Sequence, residues 1–160
     1  MDLVDINVST VHDVAYICCG DNNGTLVDDL WKFDGSDWKQ LRDIANNDSD
    51  EDYDDDYAIT RAGTVSFVID GRGYIATGTR SGVTSDYWVY DPEEDLWYGD
   101  SDDDYTPMTN VHNVSSGGSS RSYAVSFSTG KRGFVLSGSS GTSYFDDVYE
   151  LLPYEQEDVD

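Results

Sequence analysis

The chain carries the same short passage three times, and a repeat of this length restricts the fold to a series of similar modules. The first copy reads Ala15-Tyr16-Ile17-Cys18-Cys19-Gly20, then Asp29-Leu30-Trp31-Lys32-Phe33-Asp34, then Trp38. The second reads Gly73-Tyr74-Ile75-Ala76-Thr77-Gly78, then Asp86-Tyr87-Trp88-Val89-Tyr90-Asp91, then Trp97. The third reads Gly133-Phe134-Val135-Leu136-Ser137-Gly138, then Asp147-Val148-Tyr149-Glu150-Leu151. Gly20, Gly78 and Gly138 are spaced by 58 and 60 residues. Another matched pair precedes the second and third copies: Arg61-Ala62-Gly63-Thr64-Val65-Ser66-Phe67 and Arg121-Ser122-Tyr123-Ala124-Val125-Ser126-Phe127.

Each unit thus holds four short segments. They are Arg-x-x-x-Val-Ser-Phe, an aromatic-apolar run ending in a small residue and Gly, an Asp-x-aromatic-x-apolar run, and a segment centred on Trp. The middle two are apolar over a few residues, as buried strands are. Turn signals separate them: Asn22-Asn23-Gly24, Asp70-Gly71-Arg72-Gly73, Ser81-Gly82, Asp91-Pro92 and Gly130-Lys131. The acid composition agrees. Asp outnumbers Glu 27 to 6, and Asp favours turns and caps over helix interiors. The aromatic content of 13% speaks for packed structure rather than a disordered chain. Four short antiparallel strands per unit, repeated, predict an all-β chain built of propeller blades.

These residues resemble the kelch family of β-propellers. The small-Gly endings Cys19-Gly20, Thr77-Gly78 and Ser137-Gly138 stand where kelch repeats carry a Gly-Gly pair, and the first Gly is absent in every copy. Trp31/Phe33 then Trp38, and Trp88/Tyr90 then Trp97, stand where that family has its Tyr and Trp. The passage Asp86-Tyr87-Trp88-Val89-Tyr90-Asp91-Pro92 followed by Asp95-Leu96-Trp97 is similar to the galactose-oxidase-like and kelch-like propellers of Bacteroidetes surface lipoproteins. The resemblance covers Ala15 to Leu151. It implies a non-enzymatic binding or scaffold module with a protein or glycan ligand, in an extracytoplasmic setting at the cell surface or in the periplasm.

About three blades fit in the chain. Residues 1–40 read as blade one, with Val4, Ile6 and Val8 alternating in its first strand. Residues 41–60 read as an Asp-rich connecting loop and 61–99 as blade two. Residues 100–120 read as a second connecting loop, rich in Asp, Ser and Gly. Residues 121–152 read as blade three lacking its outer strand, and 153–160 as an acidic tail. Propellers are built of about four to eight blades, so three leave two apolar blade faces uncovered. Two expectations follow: a homodimer completing a six-bladed ring, or membership of a longer propeller.

The formal net charge is −24, from 33 acidic and 9 basic side chains. Such a chain repels a phosphate backbone, which excludes nucleic acid, and it has no affinity for an anionic membrane surface. No run approaches the roughly 20 apolar residues of a membrane-inserted helix. The acidic opening Met1-Asp2-Leu3-Val4-Asp5 does not read as a secretory leader. Two segments concentrate the acid, and both contain Asp-Ser-Asp-[Asp/Glu]-Asp-Tyr. Asp48, Asp50, Asp52 and Asp54 alternate in the first, and Asp100, Asp102 and Asp104 in the second. Alternating carboxylates can surround one hard cation, and calcium is the natural candidate, although no cofactor is required. The EF-hand glycine and terminal glutamate are missing. A solvated acidic rim is the competing reading. Both segments join an outer strand to the next inner one, so they fall on one face of a propeller, where a cationic partner would be steered.

Catalytic constellations are sparse. His12 and His112 occupy non-equivalent places, so no copper ligand set carries over from the galactose-oxidase resemblance. A mutarotase-like, carbohydrate-active propeller would use channel arginines. Arg61 and Arg121 open inner strands and are the candidates; the competing reading pairs each with a local aspartate. Cys18 and Cys19 are adjacent and point to opposite faces of a strand, which argues against a disulfide framework. Asn7, Asn23, Asn47 and Asn113 begin Asn-x-Ser/Thr sequences, at a frequency that the Ser and Thr content explains by chance. A calcium-dependent adhesion module is the third functional reading. Thermal melting during a calcium titration separates it from a solvated rim. The rim leaves the melting temperature unchanged, and a rise of several degrees identifies ion binding.

Overall fold

The computed structural model describes residues 5–11, 13–44, 59–99, 111–113 and 119–151. The described residues contain strands and turns and no helix. In the first sheet β1 (Asp5–Val11), β2 (Val14–Asn22), β4 (Leu30–Phe33) and β5 (Trp38–Gln40) pair in that order, all antiparallel. A short β3 (Thr25–Leu26) folds back on the end of β2. The second sheet is the meander β6 (Val65–Ile69), β7 (Arg72–Thr79), β8 (Val83–Asp91) and β9 (Leu96–Gly99). The remaining strands are β10 (Val111–Asn113), β11 (Val125–Ser128), β12 (Gly133–Leu136), the ribbon pair β13 (Ser139–Ser140) and β14 (Ser143–Tyr144), and β15 (Val148–Leu151).

The third sheet has the order β10-β15-β12-β11. Its outer place, expected to be empty, is taken by β10, which comes from the segment read as a connector. Val111, His112 and Asn113 pair with Leu151, Glu150 and Tyr149. The physical reason is that an open β15 edge would leave a row of backbone donors and acceptors unmatched, and a nearby stretch of chain pairs with it. Composition gave no hint, because three residues suffice.

Register repeats with the sequence. Cys18 pairs with Asn7 and Leu30, Ala76 with Val65 and Tyr87, and Leu136 with Val125 and Val148. The described residues thus form three modules of matching register. Their cores lie between modules and not within any one sheet. Alternation along a strand sends successive side chains to opposite faces. In the second module Tyr74 and Ala76 enter one apolar cluster with Val65, Phe67 and Val135, Tyr149 and Leu151 of module three. Ile75, Trp88, Tyr90 and Trp97 point the other way, into a cluster with Cys18, Cys19 and Leu30 of module one. The continuous apolar runs of β7 and β8 exist because both of their faces are covered.

The small-Gly dipeptide at the end of each second strand is a bend with two successive left-handed residues. Cys19, Thr77 and Ser137 have φ of 64°, 62° and 57°, and Gly20, Gly78 and Gly138 follow at 112°, 103° and 94°. The β7–β8 ladder shifts register across this point. Two successive residues at positive φ favour glycine, and the first place is held by the small side chains of Cys19, Thr77 and Ser137. Thr77 is the strained copy, since a β-branched side chain strongly disfavours positive φ. Its buried hydroxyl also has no hydrogen-bond partner among the described residues. Relief of both outweighs the added freedom that glycine gives the unfolded chain. Thr77→Gly is expected to stabilise the protein by about 1 kcal/mol, a rise of roughly 2–4 °C in Tm. Gly78→Ala has the opposite effect. Its methyl would lie 2.8 Å from the Ala62 carbonyl oxygen at a φ that alanine avoids, so urea unfolding should register a loss of more than about 1 kcal/mol.

Candidate functional site

Arg61 and Arg121 stand at the joints between modules. Both are fully buried, at 0% and 1% exposure. A guanidinium carries five N–H donors and stays charged, so burial demands acceptors on every side. Arg61 finds them in its own module. Nε donates to the Ile59 carbonyl at 2.9 Å, and one terminal nitrogen donates to the Thr77 carbonyl at 3.0 Å. Both terminal nitrogens grip Asp86 at 2.8 Å in a bidentate pair. Arg121 repeats this: Nε to Ser119 O at 3.2 Å, one nitrogen to Ser137 O at 2.8 Å, and a fork on Asp147. It also lies between the rings of Phe145 and Tyr149, at 4.5 and 4.3 Å from their centroids.

The same two residues tie each module to the one before it. The Gly20 N–H donates to the Arg61 carbonyl at 2.9 Å, and the Gly78 N–H to the Arg121 carbonyl at 2.7 Å. The second joint has further bonds between first strands. The hydroxyl of Ser126 donates to Ser66 O at 2.8 Å and that of Ser128 to Val68 O. The Asp70 N–H donates to Gly130 O at 2.9 Å, and Lys131 pairs with the Asp70 carboxylate. A Cβ on Gly133 would overlap the Phe67 ring, so glycine is what allows that ring to lie flat against module three.

Of the two readings of these arginines, the geometry realises the pairing with local aspartates. Asp86 and Asp147 occupy matched positions at the head of the third segment, 25 and 26 residues after their arginines. The sequence carries this signal, because Arg and Asp recur together at nearly constant separation. Module one has the aspartate without the arginine. Asp29 accepts from Trp31 Nε1 at 2.6 Å, as Asp86 accepts from Trp88 Nε1 at 3.3 Å. The position matching Arg61 is Leu3.

The seven aspartates proposed for calcium, Asp48, Asp50, Asp52, Asp54, Asp100, Asp102 and Asp104, lie outside the described residues, as do His12 and the acidic tail. No three acidic, histidine or cysteine side chains converge as a metal site among the described residues. Cys18 and Cys19 are buried free thiols. The hydrogen bond with Cys19, together with burial, pushes the Cys18 thiol well up, so it is an inert group at neutral pH. A cleft between modules one and two is bounded by Tyr16, Cys18 and Leu30 on one side and Ile75, Tyr90 and Trp97 on the other. Its lining is mainly apolar and aromatic and contains no carboxylate, imidazole or amine.

Among the described residues, two module faces remain outside the joints. Val125 and Phe127 are 63% and 49% exposed, while Val65 and Phe67, their counterparts 60 residues earlier, are 4% and 5% exposed. At the opposite end Ile17, Trp31 and Phe33 are half-buried and Trp38 is exposed. Their counterparts Ile75, Trp88, Tyr90 and Trp97 are all buried in the first joint. Phe33 and Trp38 stack on each other at 4.7 Å, and Phe127 and Phe134 at 4.6 Å.

No protein-family model matches the chain, and no curated protein matches it.

Burial alone would push the Asp86 carboxyl up, but its bonds with Arg61 more than reverse this and leave it below the ordinary carboxylate value. Asp147 is held low by its bonds with Arg121 against the opposing effect of burial. A lowered native pKa gives stability that is complete above the unfolded value, about 3.9 for aspartate, and is lost as the pH falls through the native one. Arg61→Met leaves Asp86 and two carbonyls without their partner and is expected to cost about 3–5 kcal/mol. A double-mutant cycle of Arg61→Met with Asp86→Asn should give a coupling energy that is full at pH 6 and fades below pH of about 3.9. A coupling independent of pH would contradict this account of the clamp.

Proposed function

We propose that the chain forms consecutive blades of a kelch-type β-propeller and serves as a non-enzymatic binding or scaffold module for a protein or glycan. The observation that carries this reading is the use made of Arg61 and Arg121. Each guanidinium is spent on its own module's carbonyls and aspartate, so neither is presented to a sugar. Three antiparallel modules of matching register, joined through equivalent bonds, also support a reading as successive blades. The repeat supplies a rigid frame, and its connections are then available to carry recognition.

The charge sets the kind of partner that such a frame attracts. With 33 acidic against 9 basic side chains, long-range attraction favours cationic protein surfaces and accelerates their encounter. Several cations of the described structure are drawn into pairs: Arg72 with Asp91, Lys131 with Asp70, and Arg132 with Glu150. An extracytoplasmic location goes with this reading, as it does in the related surface propellers.

A glycan array and a basic-peptide library test the reading, together with sugar anomerisation followed by NMR. Saturable binding to one array is expected, with anomer exchange no faster than in buffer. Association with a basic peptide should slow several-fold between 50 and 500 mM salt. Anomer exchange accelerated by the wild type and abolished in a folded Arg121→Lys variant would instead establish the carbohydrate-active alternative.

A further inference from the structure

We propose that the exposed forward face of module three is a docking surface for the rear face of module one in a second copy of this chain. Two such contacts would close six modules into a ring. The inference rests on the propeller reading and adds its partner.

The argument is continuity with joints already present. The joint between modules two and three sets a forward face bearing Val65 and Phe67 against a rear face bearing Val135, Tyr149 and Leu151. The joint between modules one and two sets Cys18 and Leu30 against Ile75, Trp88, Tyr90 and Trp97. Both are formed head to tail, forward face on rear face. One unused forward face remains, carrying Val125 and Phe127, and one unused rear face, carrying Ile17, Trp31, Phe33 and Trp38. Each unused residue has a counterpart that is buried in a joint. The chain therefore bears both halves of a further joint of the same type, at opposite ends of its series of modules.

The backbone points the same way. Gly20 and Gly78 each donate an N–H across a joint to the next module. Gly138 has the same bend, with φ of 94°, and its N–H has no acceptor among the described residues. A following module would bring one. Heterologous contacts of this kind generate rings when the rotation closes, and two copies related by a twofold axis would satisfy both faces of each. The apolar character of both faces supplies the driving force.

Sedimentation equilibrium of the full chain is the test. A species of about 36 kDa is expected, twice the chain mass of 17.8 kDa. Phe127→Asp and, from the other face, Trp38→Asp should each weaken association by at least about tenfold. Circular dichroism should leave both with the wild-type strand signal, since neither residue is buried in the single chain. Val125→Asp is the second forward-face variant. Mixing Phe127→Asp with Trp38→Asp copies restores one intact joint and should recover part of the association, which a symmetric face-to-face dimer would not do. A monomer at millimolar concentration, a ladder of larger oligomers, or a dimer insensitive to all three variants would overturn the inference. Saturable glycan or peptide binding by a strict monomer would overturn it while leaving the binding-module reading standing.

Discussion

An arginine withdrawn from water at the start of a module is the constraint around which the rest is arranged. A buried guanidinium is tolerable only when its donors all meet acceptors. That requirement fixes three separate pieces of chain at once. The preceding loop must turn a carbonyl inward, the bend after the second strand must aim another, and the third strand must begin with aspartate. Arg61 and Arg121 meet these demands with the same partners in two modules. The backbone carbonyl of the same residue receives the glycine N–H of the preceding module. One residue thereby sets the internal register of its module and its placement against the neighbour. A buried ion pair is weak evidence for net stability, but removing one partner from it is strongly destabilising.

The left-handed bend belongs to the same device. Without positive φ at Thr77 and Gly78, the Thr77 carbonyl could not reach Arg61, nor the Gly78 N–H the Arg121 carbonyl. Strain at a threonine is retained because several bonds converge on that turn. Module one keeps the bend and the aspartate, and the residue at the matching sequence position is Leu3.

Placing the core between modules has a functional consequence. Stability grows with each added joint, as in other repeat architectures, while every terminal module exposes a face designed for burial. The surplus of aspartate answers part of that hazard, since a net charge of −24 discourages indiscriminate association. It leaves room for association that is steric and specific. The molecule combines apolar module faces with a strongly acidic composition.

The amino-acid order determined the modules, their strands and their turns. Periodic glycines and aromatic runs are local signals, and strand alternation converts them directly into faces. The empty outer place of the third sheet misled because three-residue β10 carries no pattern of its own, and pairing with β15 is a long-range event. The arginines were visible at once as repeated residues, and the sequence left two roles open to them, a channel or a local aspartate. Whether a guanidinium faces a channel or an aspartate 25 residues away depends on where the bend delivers the Thr77 carbonyl, and that is decided only when strands from distant segments assemble. Likewise Val65 and Val125 are the same residue in the same local setting. Burial of one and exposure of the other comes from the neighbour that packs on it, which no local reading contains.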